Sequence, residues 1–110
     1  MKILEMKCFG DFDSVYNINL GVGEESRIQQ IEKVLNDFCK TLPGCDNDVK
    51  LIEYLNDKNY NNVLIKNLVE ADCFSSQQAL DFVKSITEKC KIHWVYVYSD
   101  TFIVEDIETI

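Results

Sequence analysis

Between Ile92 and Glu105 the chain reads Ile-His-Trp-Val-Tyr-Val-Tyr-Ser-Asp-Thr-Phe-Ile-Val-Glu. No other stretch restricts the fold as much, because β-branched and aromatic side chains suit the pleated, half-buried surface of a strand. Ser99-Asp100 divides the run, and turn residues between strand formers predict a β-hairpin. With those residues as the turn, Tyr98/Thr101, Val97/Phe102, Tyr96/Ile103 and Val95/Val104 stand opposite one another and share faces. One face is then aliphatic, with Val95, Val97, Phe102 and Val104. The other carries Trp94, Tyr96, Tyr98, Thr101 and Ile103, mostly large rings with polar handles.

Upstream, the apolar pattern switches between the two periods of regular structure. Lys2 to Phe9 and Ser14 to Leu20 read as strands joined by Gly-Asp-Phe-Asp, a first hairpin. In its second strand Val15, Asn17 and Asn19 alternate with Tyr16, Ile18 and Leu20, as in a sheet with one solvated face. After Gly21-Val-Gly, Ile28, Ile31, Val34, Leu35 and Phe38 keep helical spacing, while Gln29, Gln30, Glu32, Lys33, Asn36 and Asp37 take the polar side. A helix is expected to about Thr41, with Pro43-Gly44 as its stop. Asp46 offers a cap for a shorter helix with Val49, Ile52 and Leu55 on one face and Tyr54 turned elsewhere. The asparagine-rich run from Asn56 to Asn62 breaks that helix. Asn62 to Val69, short and carrying Val63, Ile65 and Val69, then reads as a strand. Ser75 and Gln78 form a capping box, with Phe74 placed to staple onto Ala79; the stripe of the helix that follows is Ala79, Phe82, Val83, Ile86 and Cys90. The order is β-β-α-α-β-α-β-β. This is an α+β fold in a single two-layer domain, residues 1–110, with about three helices on a mixed, mainly antiparallel sheet.

Nineteen Asp and Glu stand against eleven Lys and Arg, a net charge of −8. Self-repulsion of that sign argues against nucleic acid or an anionic membrane surface as partner and favours a basic one. No apolar run reaches the ~20 residues of a transmembrane helix. The opening Met-Lys-Ile-Leu-Glu-Met-Lys interrupts its apolar residues with charge, unlike a secretory signal, so a cytoplasmic protein is expected. Cys8, Cys39, Cys45, Cys73 and Cys90 lie in mostly apolar segments without C-x-x-C spacing and read as reduced thiols serving as small hydrophobes. With His93 as the only histidine, they lack the ligand grouping of a zinc site, and no metal or cofactor is expected. Gly21-Val-Gly lacks the third glycine and the lysine of a phosphate loop and precedes Glu24 and Glu25, which repel an anion. Asp11-Phe-Asp and Asp46-Asn-Asp lack the glycine and distant glutamate of a calcium loop, so they read as turns and caps. A pairing of His93 with Cys8 or Cys90 would depend on the fold alone.

What remains is a surface. From Asp100 onward no lysine or arginine offsets Asp100, Glu105, Asp106 and Glu108, so this edge is expected to be strongly negative beside Trp94, Tyr96 and Tyr98. Such rings anchor protein interfaces, and charge steers the encounter with a basic partner. The same rings would be core if helices covered both faces of the sheet. A compact, acidic α+β chain with an aromatic and acidic face resembles the small immunity proteins and antitoxins that neutralise toxins, including those of bacterial contact-dependent inhibition. The likeness is one of size, charge and surface over the whole chain and carries no diagnostic motif. It implies a non-enzymatic inhibitor that covers the active site of a basic toxin, often a nuclease, with carboxylates where substrate phosphates would stand. Trp94, Tyr96, Tyr98, Asp100, Glu105, Asp106 and Glu108 are then the partner-binding residues. A small ligand-binding or regulatory domain, which needs an apolar pocket with convergent polar groups, is one alternative. A small cysteine-dependent enzyme, which needs a thiol of depressed pKa, is the other.

Overall fold

The computed structural model describes residues 1–107. Strands β1 (Lys2–Phe9) and β2 (Val15–Gly23) form the expected antiparallel hairpin, its tip a single tight turn at Asp11–Asp13. The register shifts where Leu4 faces Gly21 and Glu5 faces Asn19, leaving Leu20 as a bulge. Four helices follow: α1 (Glu25–Thr41), α2 (Leu51–Leu55), α3 (Lys58–Glu70) and α4 (Ser76–Ile92). The last strand, β3 (Phe102–Asp106), pairs antiparallel with β1, so the sheet order is β2-β1-β3.

The two-layer reading holds. Leu4, Met6 and Cys8 of β1 are fully buried against the helices and meet Ile31, Leu35, Val83 and Cys90 in one continuous core. Ile3, Glu5, Lys7 and Phe9 alternate with them on the opposite face, which no helix among the described residues covers. On α4 the capping box of Ser75 and Gln78 is made in both directions. Ala79, Val83, Ile86 and Cys90 are buried as the spacing requires; Phe82, at the edge of the stripe, stays partly exposed and packs its ring 4.8 Å from Phe74.

Several local expectations are corrected. Asn62 to Val69 is not a strand but the body of α3, so the observed order is β-β-α-α-α-α-β and the sheet among the described residues is antiparallel throughout, with no parallel crossover. Asp57 accepts from the backbone N–H of Asn59 and Tyr60, and Leu64 and Leu68, one turn apart, are buried; capping and a helical stripe outweigh the β-branched residues, of which Val63 is exposed while Ile65 and Val69 flank the core. The asparagines assist, since Asn61 Nδ2 donates to the carbonyl of Leu55 at 2.9 Å and closes the end of α2. Asp46 does not cap α2, which begins after Lys50. Tyr54 instead turns into the core margin, its hydroxyl accepting from the backbone N–H of Gly44 at 3.0 Å.

The terminal hairpin is also corrected. A turn does fall at Ser99-Asp100, but Trp94–Tyr98 and β3 are not paired with each other. Both meet β1: the N–H of Lys7 donates to the carbonyl of Thr101 and that of Phe9 to the carbonyl of Trp94, at 2.8 and 2.7 Å. The residues between leave the sheet as a loop, where Val95 and Val97 pair with the segment from Asp46 to Leu51. Sequence pattern reports that a stretch is extended; it does not say which neighbour takes its hydrogen bonds.

Candidate protein-binding site

The excursion of Trp94–Tyr98 from the sheet builds the site. It keeps the strand period, so Val95 and Val97 are buried while Trp94, Tyr96 and Tyr98 point to the other side. Trp94 is 51% exposed, and the two tyrosines are partly so. They are therefore surface and not core. Phe9, at the end of β1 on the open face, braces them edge-on, 5.3 Å from Tyr96 and 5.7 Å from Tyr98 between ring centres. Thr101, placed by the sequence among the rings, is instead buried beneath them, where its hydroxyl accepts from Tyr98 N–H at 2.9 Å and lies 3.0 Å from the Tyr96 and Tyr98 carbonyls. It locks the turn. Ile103 lies on β3 opposite Glu5, away from the rings.

Two loops complete a cleft of about 570 Å³ over these rings. The β1–β2 turn contributes Asp11, Phe12 and Asp13, and the loop before α2 contributes Asp48. Phe12 is fully exposed and its φ is 58°, a left-handed conformation that costs a bulky residue about 1–2 kcal/mol. An exposed ring held on a strained backbone is the kind of outlier that clusters at functional sites. Asp13, Asp46 and Asp48 also have positive φ, at 60°, 64° and 57°, which aspartate tolerates better than most side chains. Asp48 accepts a hydrogen bond from the Tyr98 hydroxyl, and this carboxylate holds the phenol protonated, its pKa pushed up to about 12. Asp46 accepts from the Ser99 N–H at 3.3 Å, tying the same loop to the turn beyond the rings.

The expected acidic edge looks different in three dimensions. Lys7 reaches Asp100 at 2.7 Å and Lys2 pairs with Asp106, each holding its carboxyl below the usual range chiefly through the hydrogen bond. The lysines come from β1, far away in sequence. Glu105 is exposed on the open face opposite Ile3, and Glu108 lies outside the described residues. In the cleft the balance is reversed: among the described residues none of Asp11, Asp13 or Asp48 is in an ion pair, and neither lysine nor arginine lines the site. Asp11, Phe12, Asp13 and Asp48 are the site residues that sequence reasoning missed, having been read as turn chemistry alone. The signal available was Phe12 itself, a large ring in a turn otherwise made of Gly and Asp.

The other chemical candidates are placed as follows. His93 ends α4, and its Nδ1 lies 2.9 Å from the Tyr16 hydroxyl. Burial pushes the thiols of Cys8, Cys39 and Cys90 up to about 11, 12 and 12, and those of Cys45 and Cys73 are raised as well. Among the described residues no group of three or more His, Cys, Asp or Glu is arranged to hold a metal ion, and no helix is long and apolar enough to cross a membrane. No protein-family model, curated protein or solved structure matches the chain.

Proposed function

We propose that this protein is a non-enzymatic inhibitor of the immunity-protein or antitoxin kind, which binds a basic protein partner, a toxin such as a nuclease, through the ring face of Trp94, Tyr96 and Tyr98. One observation carries the reading: braced, solvent-facing rings stand in a cleft whose carboxylates Asp11, Asp13 and Asp48 are, among the described residues, in no ion pair. Aromatic anchors supply most of the affinity of an interface, and uncompensated charge at its rim speeds encounter. The paired Asp100 and Asp106 are rim groups of lesser weight. The raised thiols oppose the cysteine-enzyme alternative, because a nucleophilic cysteine needs its pKa lowered.

The test is kinetic, on the partner recovered from the source cell by pull-down. Tyr96→Ala is expected to speed dissociation by about 30-fold, the equivalent of roughly 2 kcal/mol for an interface anchor. Replacing Asp11 and Asp13 by lysine is expected to slow association and flatten its salt dependence. Unchanged rates in both variants would move the site elsewhere, and turnover of a substrate by the isolated protein would place it among enzymes. A ligand-binding role has one observation in its favour, a cleft of about 680 Å³ where apolar Leu20, Ile28, Phe74 and Phe82 meet Arg27. A ligand that occupied it would raise the melting temperature by mass action.

A further inference from the structure

We infer that the cleft over Trp94, Tyr96 and Tyr98 receives one arginine side chain of the partner, its guanidinium stacked on the rings and forked onto the carboxylates of the two loops. This rests on the reading of that face as the interface and names what enters it. Three observations converge. The rings present π faces, and one already holds a cation: the Lys50 ammonium lies 5.3 Å from the centre of the Trp94 ring. That ammonium takes one face of Trp94, so the incoming guanidinium is left the remaining ring surface of Trp94, Tyr96 and Tyr98. The rings are braced against one another, with Tyr96 and Tyr98 6.2 Å apart and Phe9 behind both, so little side-chain freedom is lost when a ligand seats. The carboxylates stand at the walls, and Asp48 is fixed by Tyr98 through one oxygen, leaving the other free to accept.

Those features select guanidinium over ammonium. Guanidinium is planar, weakly hydrated and carries five N–H donors in a fixed fork, so it stacks on a ring and bonds a carboxylate at the same time. Ammonium is a compact point charge that keeps its water and makes one of those contacts at a time. A cleft of about 570 Å³ leaves room for the alkyl stem and for flanking backbone, and the fully exposed Phe12 at its rim is placed to cover the stem.

Trp94 is the chain's only tryptophan, so its emission reports on the site alone. The probes are the capped tripeptides Gly-Arg-Gly, Gly-Lys-Gly and Gly-citrulline-Gly, the last a neutral isostere of the first. The arginine tripeptide is expected to shift the Trp94 emission saturably, with millimolar affinity that falls as salt is added. The lysine tripeptide should bind several-fold more weakly and the citrulline tripeptide at least about 10-fold more weakly. In the triple variant Asp11→Asn, Asp13→Asn, Asp48→Asn the arginine response should weaken by about 10-fold. Asparagine also accepts positive φ, and unliganded Trp94 emission unchanged from the parent protein will show that the loops have kept their shape around the rings. Equal binding of the arginine and citrulline tripeptides, an equal or tighter lysine tripeptide, or no saturable response would each overturn the inference. The broader reading fails differently, by unaltered binding rates of the whole partner to both Tyr96→Ala and the lysine variant of Asp11 and Asp13. Fast release from that variant without any tripeptide response would leave the interface in place and remove the arginine.

Discussion

Asn36 joins the first helix to the last strand with both ends of its amide. Its Nδ2 donates to the carbonyl of Phe102 at 2.8 Å and its Oδ1 accepts from the same residue's N–H at 3.0 Å, so a side chain on α1 closes the outer edge of β3 as another strand would. Helical spacing puts Asn36 with the polar residues, yet it is 9% exposed. Nothing local in the sequence distinguishes it from Gln29 or Asp37, because its role is defined by a strand 66 residues away. Asn36→Leu keeps the bulk and leaves both groups of Phe102 unpaired, and it is expected to cost about 3 kcal/mol, read as a lower urea midpoint at constant slope. A loss under about 1 kcal/mol would mean that water reaches Phe102. Tyr98 offers a second test at this scale, through pH. Its pKa is raised from 10.0 to about 12 in the folded chain, first by the hydrogen bond to Asp48. A folded pKa above the unfolded one stabilises the fold fully below pH 10 and loses that contribution as pH climbs towards 12. In Asp48→Asn the Tyr98 resonance is expected to titrate nearer the ordinary tyrosine value, since a neutral amide no longer disfavours phenolate; an unmoved titration would show that Asp48 does not hold the phenol.

Among the elements, α3 shows where local pattern stops being decisive. Its outward positions include Val63, which is exposed, while Leu64 and Leu68 carry the packing. Asp57 starts the helix by accepting from Asn59 N–H at 2.9 Å and Tyr60 N–H at 3.4 Å. Asp57→Ala is therefore expected to cost about 1 kcal/mol, and Asp57→Asn much less, both measured by denaturant unfolding; equal losses would point to charge rather than capping. The first hairpin, α1 and α4 were legible because their burial pattern, caps and stops agree with one another over enough residues, down to the reciprocal bonds of Ser75 and Gln78. Trp94–Tyr98 and β3 were legible as extended segments, and their ring and aliphatic sides separate as alternation requires. Their pairing was not, since the hairpin reading supplied each arm with the other as partner while β1 and the Asp46–Leu51 segment took those hydrogen bonds instead. Half the candidate site was hidden for the same reason. The rings are contiguous in sequence, but Asp11, Phe12, Asp13 and Asp48 reach them only through the ends of β1 and the loop before α2.

For the molecule as a whole, the cysteines report whether sheet and helices unfold together. Cys8, Cys39, Cys73 and Cys90 are buried in one core, with the Cys90 sulfur 3.9 Å from that of Met6 and the Cys8 thiol donating to the Met6 carbonyl at 3.6 Å; Cys45 alone is partly exposed. Burial raises the three deepest thiols to about 11 or 12, so at neutral pH they are protonated as well as shielded. Alkylation of the native protein is therefore expected to label Cys45 first and the other four far more slowly, while denaturation without reductant should expose all five as free thiols. The order among the slow four is the informative part. β1 contributes Cys8, α1 contributes Cys39 and α4 contributes Cys90, and these elements share core residues rather than packing in separate pairs. If the core opens as one unit, the labelling of the three rises together through the urea transition, each tracking the fraction unfolded. Should Cys90 become labelled at lower urea than Cys8 and Cys39, α4 would be detaching from an intact sheet. Because α4 leads directly into Trp94, the ring face would then lose its support while β1 and β2 remained paired, and partner binding would fall before the fold was lost.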